Sequence, residues 1–430
     1  MSRTFKGFLV IVALGTLAGV GWFLLRHRPG EYDIAASAFP VLPAPVLGAN
    51  DWPWWRGPTR DNHAATVPTE WSESKNIVWK KSIPGTGHSS PISAGDNLYL
   101  TSADASSQKQ VLLCLNRKSG ETVWSETLHE KNFPERIHGE NTHASSTAAS
   151  DGINVFAAFA NGTAIHLSAC DLATGKRAWT RDCGPQGRGF GYGSSIAVWG
   201  PYVYVSDDSP SGGWLTAINR QTGEVGWRRG RKTGIGSYGS PTIVENKERA
   251  MLVLPGNGNV SAYDAKSGDT LWETEGLGET SGNTATTGGG MIFASSGYPT
   301  RTLLALREDG TQVWKKGPSN DFPYPPTMLF HEGCLYIVSD QALVSCYDAG
   351  TGSKKWSERL NGSHYASPLY AGGNLYACGR DGRTTIFKAD PAGYEEIAIN
   401  KLDGNINASP IAVDGRLFIR TGTHLYCIGK

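Results

Sequence analysis

The sequence predicts an all-β fold: an eight-bladed β-propeller closed by an N-terminal strand and preceded by one transmembrane helix. Three observations carry the prediction. A short phrase, YDAKSGDTLW at residues 263–272, recurs along the chain with a tryptophan at its end. A second phrase, two apolar runs separated by a Gly/Asp turn, lies upstream of each copy. The last unit lacks one strand, and the start of the repeat region can supply it.

The tryptophan slots fall at Trp124, Trp179, Trp227, Trp272, Trp314 and Trp356, with Ile397 in a decayed copy. The steps between them are 55, 48, 45, 42, 42 and 41 residues. Self-similarity at roughly 40–45 residues with several short strands per unit signals a propeller. Each copy reads as a hairpin. Gly120, Gly175, Gly223, Gly268 and Gly352 supply the left-handed backbone of a tight turn. The Asp or Asn about four residues earlier closes an Asx turn. The Trp ends the unit with a broad apolar surface suited to packing between sheets, so Trp79 to Trp356 are read as structural.

The upstream phrase begins with small residues, often Ser-Pro, as in SSPISAGDNLYLTS (89–102), SPLYAGGNLYACG (367–379) and SPIAVDGRLFIRT (409–421). Weaker versions start at Ser145, Ser194, Ser240, Asn283 and Pro326, which makes eight starts. Run, turn, run and hairpin give four alternating strands per unit, A to D. After Ser409 only three strands remain. Residues 76–83 (NIVWKKSI), with Trp79 in the tryptophan slot, provide the fourth and close the ring. Closure removes the open sheet edges that would otherwise aggregate.

Three segments follow: residues 1–28 as an N-terminal membrane anchor or signal sequence, 29–75 as a Pro/Trp-rich lead-in, and 76–430 as the propeller. Residues 7–25 are nineteen uncharged residues, long enough to span a bilayer. The alternative is a cleaved signal peptide, for which residues 35–38 (AASA) offer small residues far from the apolar run. Arg3 and Lys6 before the run nearly balance Arg26 and Arg28 after it, so charge barely orients the anchor. The lead-in carries Trp52, Trp54 and Trp55. They read as a clip covering apolar propeller surface or as a sugar- or partner-binding platform.

A net charge of +1 gives no reason to expect nucleic acid as a partner, and the protein is expected to be a monomer. Cys114, Cys346 and Cys427 share a repeat slot filled elsewhere by Ala169, Ala217, Ala262 and Ala305. A slot that accepts Cys or Ala is a small buried one. The insertion behind the 55-residue step carries His129, His138 and His143 with Glu130, Glu135 and Glu140. Their spacing matches no zinc motif, and no metal site is assigned. A basic run, Arg228, Arg229, Arg231 and Lys232, is expected on a loop of the same face.

The loops that lead into strand A gather around the mouth of the central channel. Each carries a polar or aromatic residue before its small residues: His88, His143, Tyr192, Tyr238, Asn283, Tyr324, His364 with Tyr365, and Asn407. Such a ring is concave, aromatic and polar, which suits a protein or a small polar ligand. The candidate ligand- or partner-binding residues are His88, His143, Tyr192, Tyr238, Tyr324, His364 and Tyr365. The other reading has them capping strand ends.

The repeat also matches a family. Ala262, Asp264, Ser267, Gly268 and Trp272 fit the pattern Ala-x-Asp-x-x-(Ser/Thr)-Gly-x-x-x-Trp. That pattern resembles the tryptophan-docking repeat of the pyrroloquinoline-quinone (PQQ) propellers, and the resemblance covers residues 76–430. WPWWRGPTRDN and ENTHASSTAASDG are similar to a bacterial PQQ-repeat subgroup mostly without assigned activity. The family includes quinoprotein alcohol dehydrogenases and a propeller lipoprotein of the outer-membrane β-barrel assembly machinery. The resemblance implies export, placing the propeller outside the cytoplasm on the periplasmic side of the inner membrane. PQQ with Ca²⁺ is the cofactor it would imply for an enzyme, but the adjacent-cysteine disulfide of those dehydrogenases is missing. The ring offers no clear carboxylate base; Asp321 is the nearest. The lipoprotein's N-terminal lipid cysteine is missing too, since the first cysteine is Cys114. The expected function is a membrane-tethered extracytoplasmic binding or scaffold module without catalytic residues. The alternatives are a PQQ-dependent oxidoreductase, or another enzyme using the His/Tyr-rich face.

Overall fold

The computed structural model describes residues 33–37, 42–187, 190–210, 212–232, 234 and 236–429. The expected transmembrane segment, 7–25, lies outside the described residues. Among those described, no helix is long and apolar enough to cross a membrane.

The described residues form eight antiparallel sheets, the blades of one propeller. Blade one spans Ile92–Ala94, Asn97–Asp104, Lys109–Asn116 and Thr122–Glu130 as strands A to D. The next six follow in the same order. Blade eight takes its first three strands from the C-terminus, Ile411–Val413, Arg416–Arg420 and His424–Ile428. Its outer strand is Ile77–Ser82, with Trp79 directly opposite Cys427. The expected closure is therefore present, and the ring has no open end.

The hairpin chemistry explains why each blade forms where it does. Asn116 Oδ1 accepts the backbone N–H groups of Lys118 and Ser119, both at 3.0 Å. Asn219, Asp264 and Asp348 make the equivalent Asx turns. Gly268 then sits at φ +73°, a left-handed conformation. It is also where the neighbouring blade arrives: a Cβ there would lie 2.5 Å from the ring of Trp227. The same contact joins Gly120 to Trp79, Gly175 to Trp124 and Gly310 to Trp272. Most of these indoles donate to a carbonyl of the following blade's turn, as Trp272 does to Glu308 at 2.9 Å and Trp356 to Asp390 at 2.9 Å. Six blades thus lay their tryptophan on the glycine of the next; Trp356 packs on Tyr394 instead, and blade seven has Ala398 in the slot.

Register explains the Cys/Ala slot. Cys114, Ala169, Ala217, Ala262, Ala305 and Cys346 stand directly across from Trp124, Trp179, Trp227, Trp272, Trp314 and Trp356. A large ring on one strand needs a small neighbour on the next. All seven cysteines are free and buried, and burial pushes the Cys114 thiol up to about 12.

Three expectations are corrected. In blade seven the residue opposite Ile386, the tryptophan slot by register, is Ala398 rather than Ile397, which is exposed. The turn there is two residues longer than in blade six and shifts the pairing. Arg228, Arg229 and Arg231 are not on a loop. They lie on Val225–Arg231, the outer strand of blade three. Arg231 is buried and bonds Asp208 through two nitrogens, at 2.8 and 3.0 Å. His129, expected in the insertion, likewise lies on the outer strand Thr122–Glu130.

The lead-in crosses the face that carries the A–B and C–D turns. Ile34 pairs with Arg228 on the outer edge of blade three. Val46 donates to Asp151 in blade two. Trp52 and Trp54 are buried, and Trp52 exchanges backbone hydrogen bonds with Ser93 of blade one. Buried Arg56 donates to Thr286 Oγ1 at 3.2 Å and to the Met328 carbonyl at 3.1 Å, in blades five and six. Asn62 reaches Pro368, and His63–Ala64 adds a parallel strand to blade seven. Trp52 and Trp54 cover apolar propeller surface, packed in the core clusters of the blades beneath them.

Candidate functional site

Strand A of each blade begins at the channel wall, so the residue at that point faces the axis. Ser90, Thr147, Ser195, Ser240, Thr284, Thr327, Ser367 and Ser409 line one chamber of about 130 Å³. Seven hydrogen bonds link these residues head to tail. The N–H of Ser90 donates to Thr147 Oγ1 (3.0 Å), Thr147 to Ser195 (3.2 Å), and Ser195 to Ser240 (2.8 Å). Ser240 donates to Thr284 (3.2 Å), Thr284 to Thr327 (3.0 Å), Thr327 to Ser367 (2.9 Å) and Ser367 to Ser409 (2.9 Å). In these seven bonds a blade's hydroxyl satisfies a buried N–H of the blade before it, a group that would be costly to leave unpaired. Trp55 reaches in from the lead-in and lines the same chamber.

Above the belt stands the rim. His88, Tyr238, Tyr365 and Asn407 line the chamber with it. His143 and Tyr192 instead line a smaller neighbouring recess with Pro134 and Ile137. Tyr324 packs on Gly282 and Gly297. His364 is buried, with a backbone bond to Asp340. Asn283 is buried and donates to Ser295 Oγ and the Tyr324 carbonyl. His88, His143, Tyr238, Tyr324 and Tyr365 are half-exposed, whereas Tyr192 and His364 lie beneath them.

Electrostatics at the rim is set by burial. The His88 imidazole is lowered to about 4, by burial first and by Arg420 and Arg380 next. His364 is also lowered to about 4, by burial. Burial raises the phenols of Tyr238 and Tyr324. The rim at neutral pH therefore presents uncharged imidazoles and phenols.

Several rim residues escaped the sequence reading. Arg380, on the B–C turn of blade seven, stacks over the Tyr365 ring at 4.3 Å. Its Nε donates to Asn407 Oδ1 at 3.2 Å, and Asn407 Nδ2 lies 3.1 Å from His88 Nε2. Glu140, from the insertion between blades one and two, is ion-paired with Arg380. The insertion also rests on blade three, where Asn141 donates to the Phe190 carbonyl at 2.8 Å. Phe190 itself is exposed beside Tyr238, ring centroids 6.2 Å apart. The Ser/Thr belt had a signal, the recurrent small residues that open strand A. Arg380 had none: the matching B–C turn of blade six makes the same backbone hydrogen bonds but carries Asp340 in that place, so the residue type does not recur.

The residues present do not fit PQQ. The chamber is smaller than the roughly 300 Å³ at which small-molecule pockets begin. Asp321 is bound to Lys354 and to the Tyr347 hydroxyl. Among the described residues no three His, Cys, Asp or Glu side chains gather as a metal site.

A family model described as outer membrane protein assembly factor BamB matches residues 65–169, 163–305, 256–331 and 301–407. BamB of Yersinia pestis is 24% identical over 380 residues, covering 83% of this chain and 89% of the relative. The crystal structure of BamB from Moraxella catarrhalis superposes with a TM-score of 0.61 at 14% identity, over 82% of this chain and 97% of that one. Quinohemoprotein alcohol dehydrogenase from Comamonas testosteroni superposes with a TM-score of 0.66 at 13% identity, over 89% and 81%. At these identities the structural likenesses speak to the fold.

Proposed function

The chain belongs to the PQQ-repeat propeller family of the outer membrane protein assembly factor BamB, and from that premise we propose that it is a binding or scaffold module that holds a protein at the channel mouth. The observation that supports this most is the rim. Three half-exposed side chains, His88, Tyr238 and Tyr365, line a chamber too small for a cofactor, and the exposed Phe190 stands beside Tyr238. Tyr and His offer apolar bodies with polar tips, the composition of protein-binding surfaces. The named relatives are assembly factors, which favours a protein partner over a small polar ligand. Residues 7–25 tether the propeller to the membrane, with the domain on the periplasmic side of the inner membrane.

The test is site-specific photo-cross-linking in cells. A photoreactive amino acid at Tyr238 or Tyr365 in the full chain should capture a discrete protein, and one at Lys118, on the opposite face, should not. Equal capture from Lys118, or none from the rim, would sink the reading.

A further inference from the structure

We propose that the mouth recognises a carboxylate on an acidic segment of its protein partner, that Arg380 receives it, and that Glu140 holds its place in the free protein. The proposal rests on the reading of the mouth as a protein-binding face.

The receiving group is already oriented. The Arg380 guanidinium is held flat by the Tyr365 ring on one side and by Asn407 Oδ1 at Nε. Asn407 is fixed in turn. With its Oδ1 facing Arg380, its amide nitrogen faces His88, whose Nε2 must then accept. That is the neutral tautomer which burial favours. One edge of the guanidinium remains for an acid, and Glu140 takes it through Nη2.

The local charge is unbalanced without Glu140. Arg420 is fully buried nearby and bonds only neutral oxygens, those of Ser89 and Thr101, at 2.6 to 3.0 Å. Among the described residues Glu140 is the only carboxylate paired with Arg380. The other rim acids are engaged, Asp340 with Arg301 and Asp381 with Arg383. A sector with two guanidinium groups and one neutral imidazole is complementary to an incoming anion.

Glu140 is suited to leave. Its side chain is 43% exposed, and ion pairs so open to water are weak. It also arrives from 240 positions away, on an insertion and not on a blade strand. An incoming carboxylate exchanges one Arg–carboxylate pair for another and frees the insertion from the mouth.

The experiment uses the full chain, a fluorescein-labelled hexaglutamate peptide and a hexalysine control, read by fluorescence anisotropy. Glu140→Gln should tighten hexaglutamate binding by about two- to fivefold, the range that half-exposed ion pairs hold back. Arg380→Gln should abolish it in either background, and Arg380→Lys should restore part of it. Hexalysine should bind none of the variants. Unchanged affinity in Glu140→Gln, or hexaglutamate binding that survives Arg380→Gln, overturns the proposal. Should Arg380→Gln fail to fold, the Glu140→Gln comparison still decides. Cross-links from Tyr238 without hexaglutamate binding would remove the carboxylate preference and leave the binding face standing; loss of both would remove both.

Discussion

Gly268 of blade four lies directly beneath the indole of Trp227 of blade three, so close that a single added carbon would fall 2.5 Å from the ring. Trp227 is fully buried and donates to the Ala265 carbonyl at 3.3 Å. The pair is one copy of the seam between neighbouring blades.

Removing either side of that seam should therefore be costly. Trp227→Ala should destabilise the protein by about 3–5 kcal/mol, the usual cost of truncating a buried large aromatic. Gly268→Ala should cost at least about 1 kcal/mol from the left-handed backbone, with the clash in addition. Urea unfolding of both variants checks this. An unchanged midpoint for Gly268→Ala would mean the indole moves aside without loss.

Closure gives a second expectation. Ile77–Ser82 supplies the outer strand of blade eight, with backbone pairing from Ile77↔Ile428 to Ser82↔His424. A chain beginning at Pro84 should melt well below one beginning at Ser72, since only the latter keeps this strand. Equal melting temperatures would show that the ring holds without it.

Acid should weaken the fold in a defined window. The His364 imidazole sits at about 4 in the folded protein against 6.5 when free. Between those values the unfolded chain binds the proton and the folded one does not, so stability falls as pH falls. At neutral pH this contribution is fully present. Within the window each such imidazole adds a slope of up to about 1.4 kcal/mol per pH unit. His88 and His129, also lowered to about 4, add in the same direction. His364→Gln should flatten the stability profile between pH 6.5 and 4 by one proton. A profile as steep as the parent's would assign the acid sensitivity to other groups.

The blades were legible in the sequence because their determinants are local. The Asx residue, the glycine and the tryptophan lie within about ten positions, and each has a fixed geometric duty. The blade-seven slot was misplaced for the converse reason. Without a tryptophan to mark it, only strand register identifies Ala398, and a turn longer by two residues moves it. The basic run was read as a loop because Arg231 finds its counter-charge, Asp208, 23 positions away. The site was less legible still. Its belt pairs each backbone N–H with a hydroxyl some 40 to 57 residues on. The Arg380–Glu140 pair spans 240. The recurrent small residues that open strand A hint at the belt, but no pattern within one repeat encodes the Arg380–Glu140 pair.

The path of the lead-in has a consequence for how the molecule comes apart. Proteins built from stacked repeats ordinarily share stability only between neighbours, so one end can loosen while the other stays intact. Here a single strand ties blade three to blade two, then reaches blades one, five, six and seven in turn. It works like a drawstring. Parting any one seam pulls on Trp52, Arg56 or Asn62 and through them on blades across the diameter. The six blades so tied should therefore melt together, in a single sharp transition in place of a gradual unravelling.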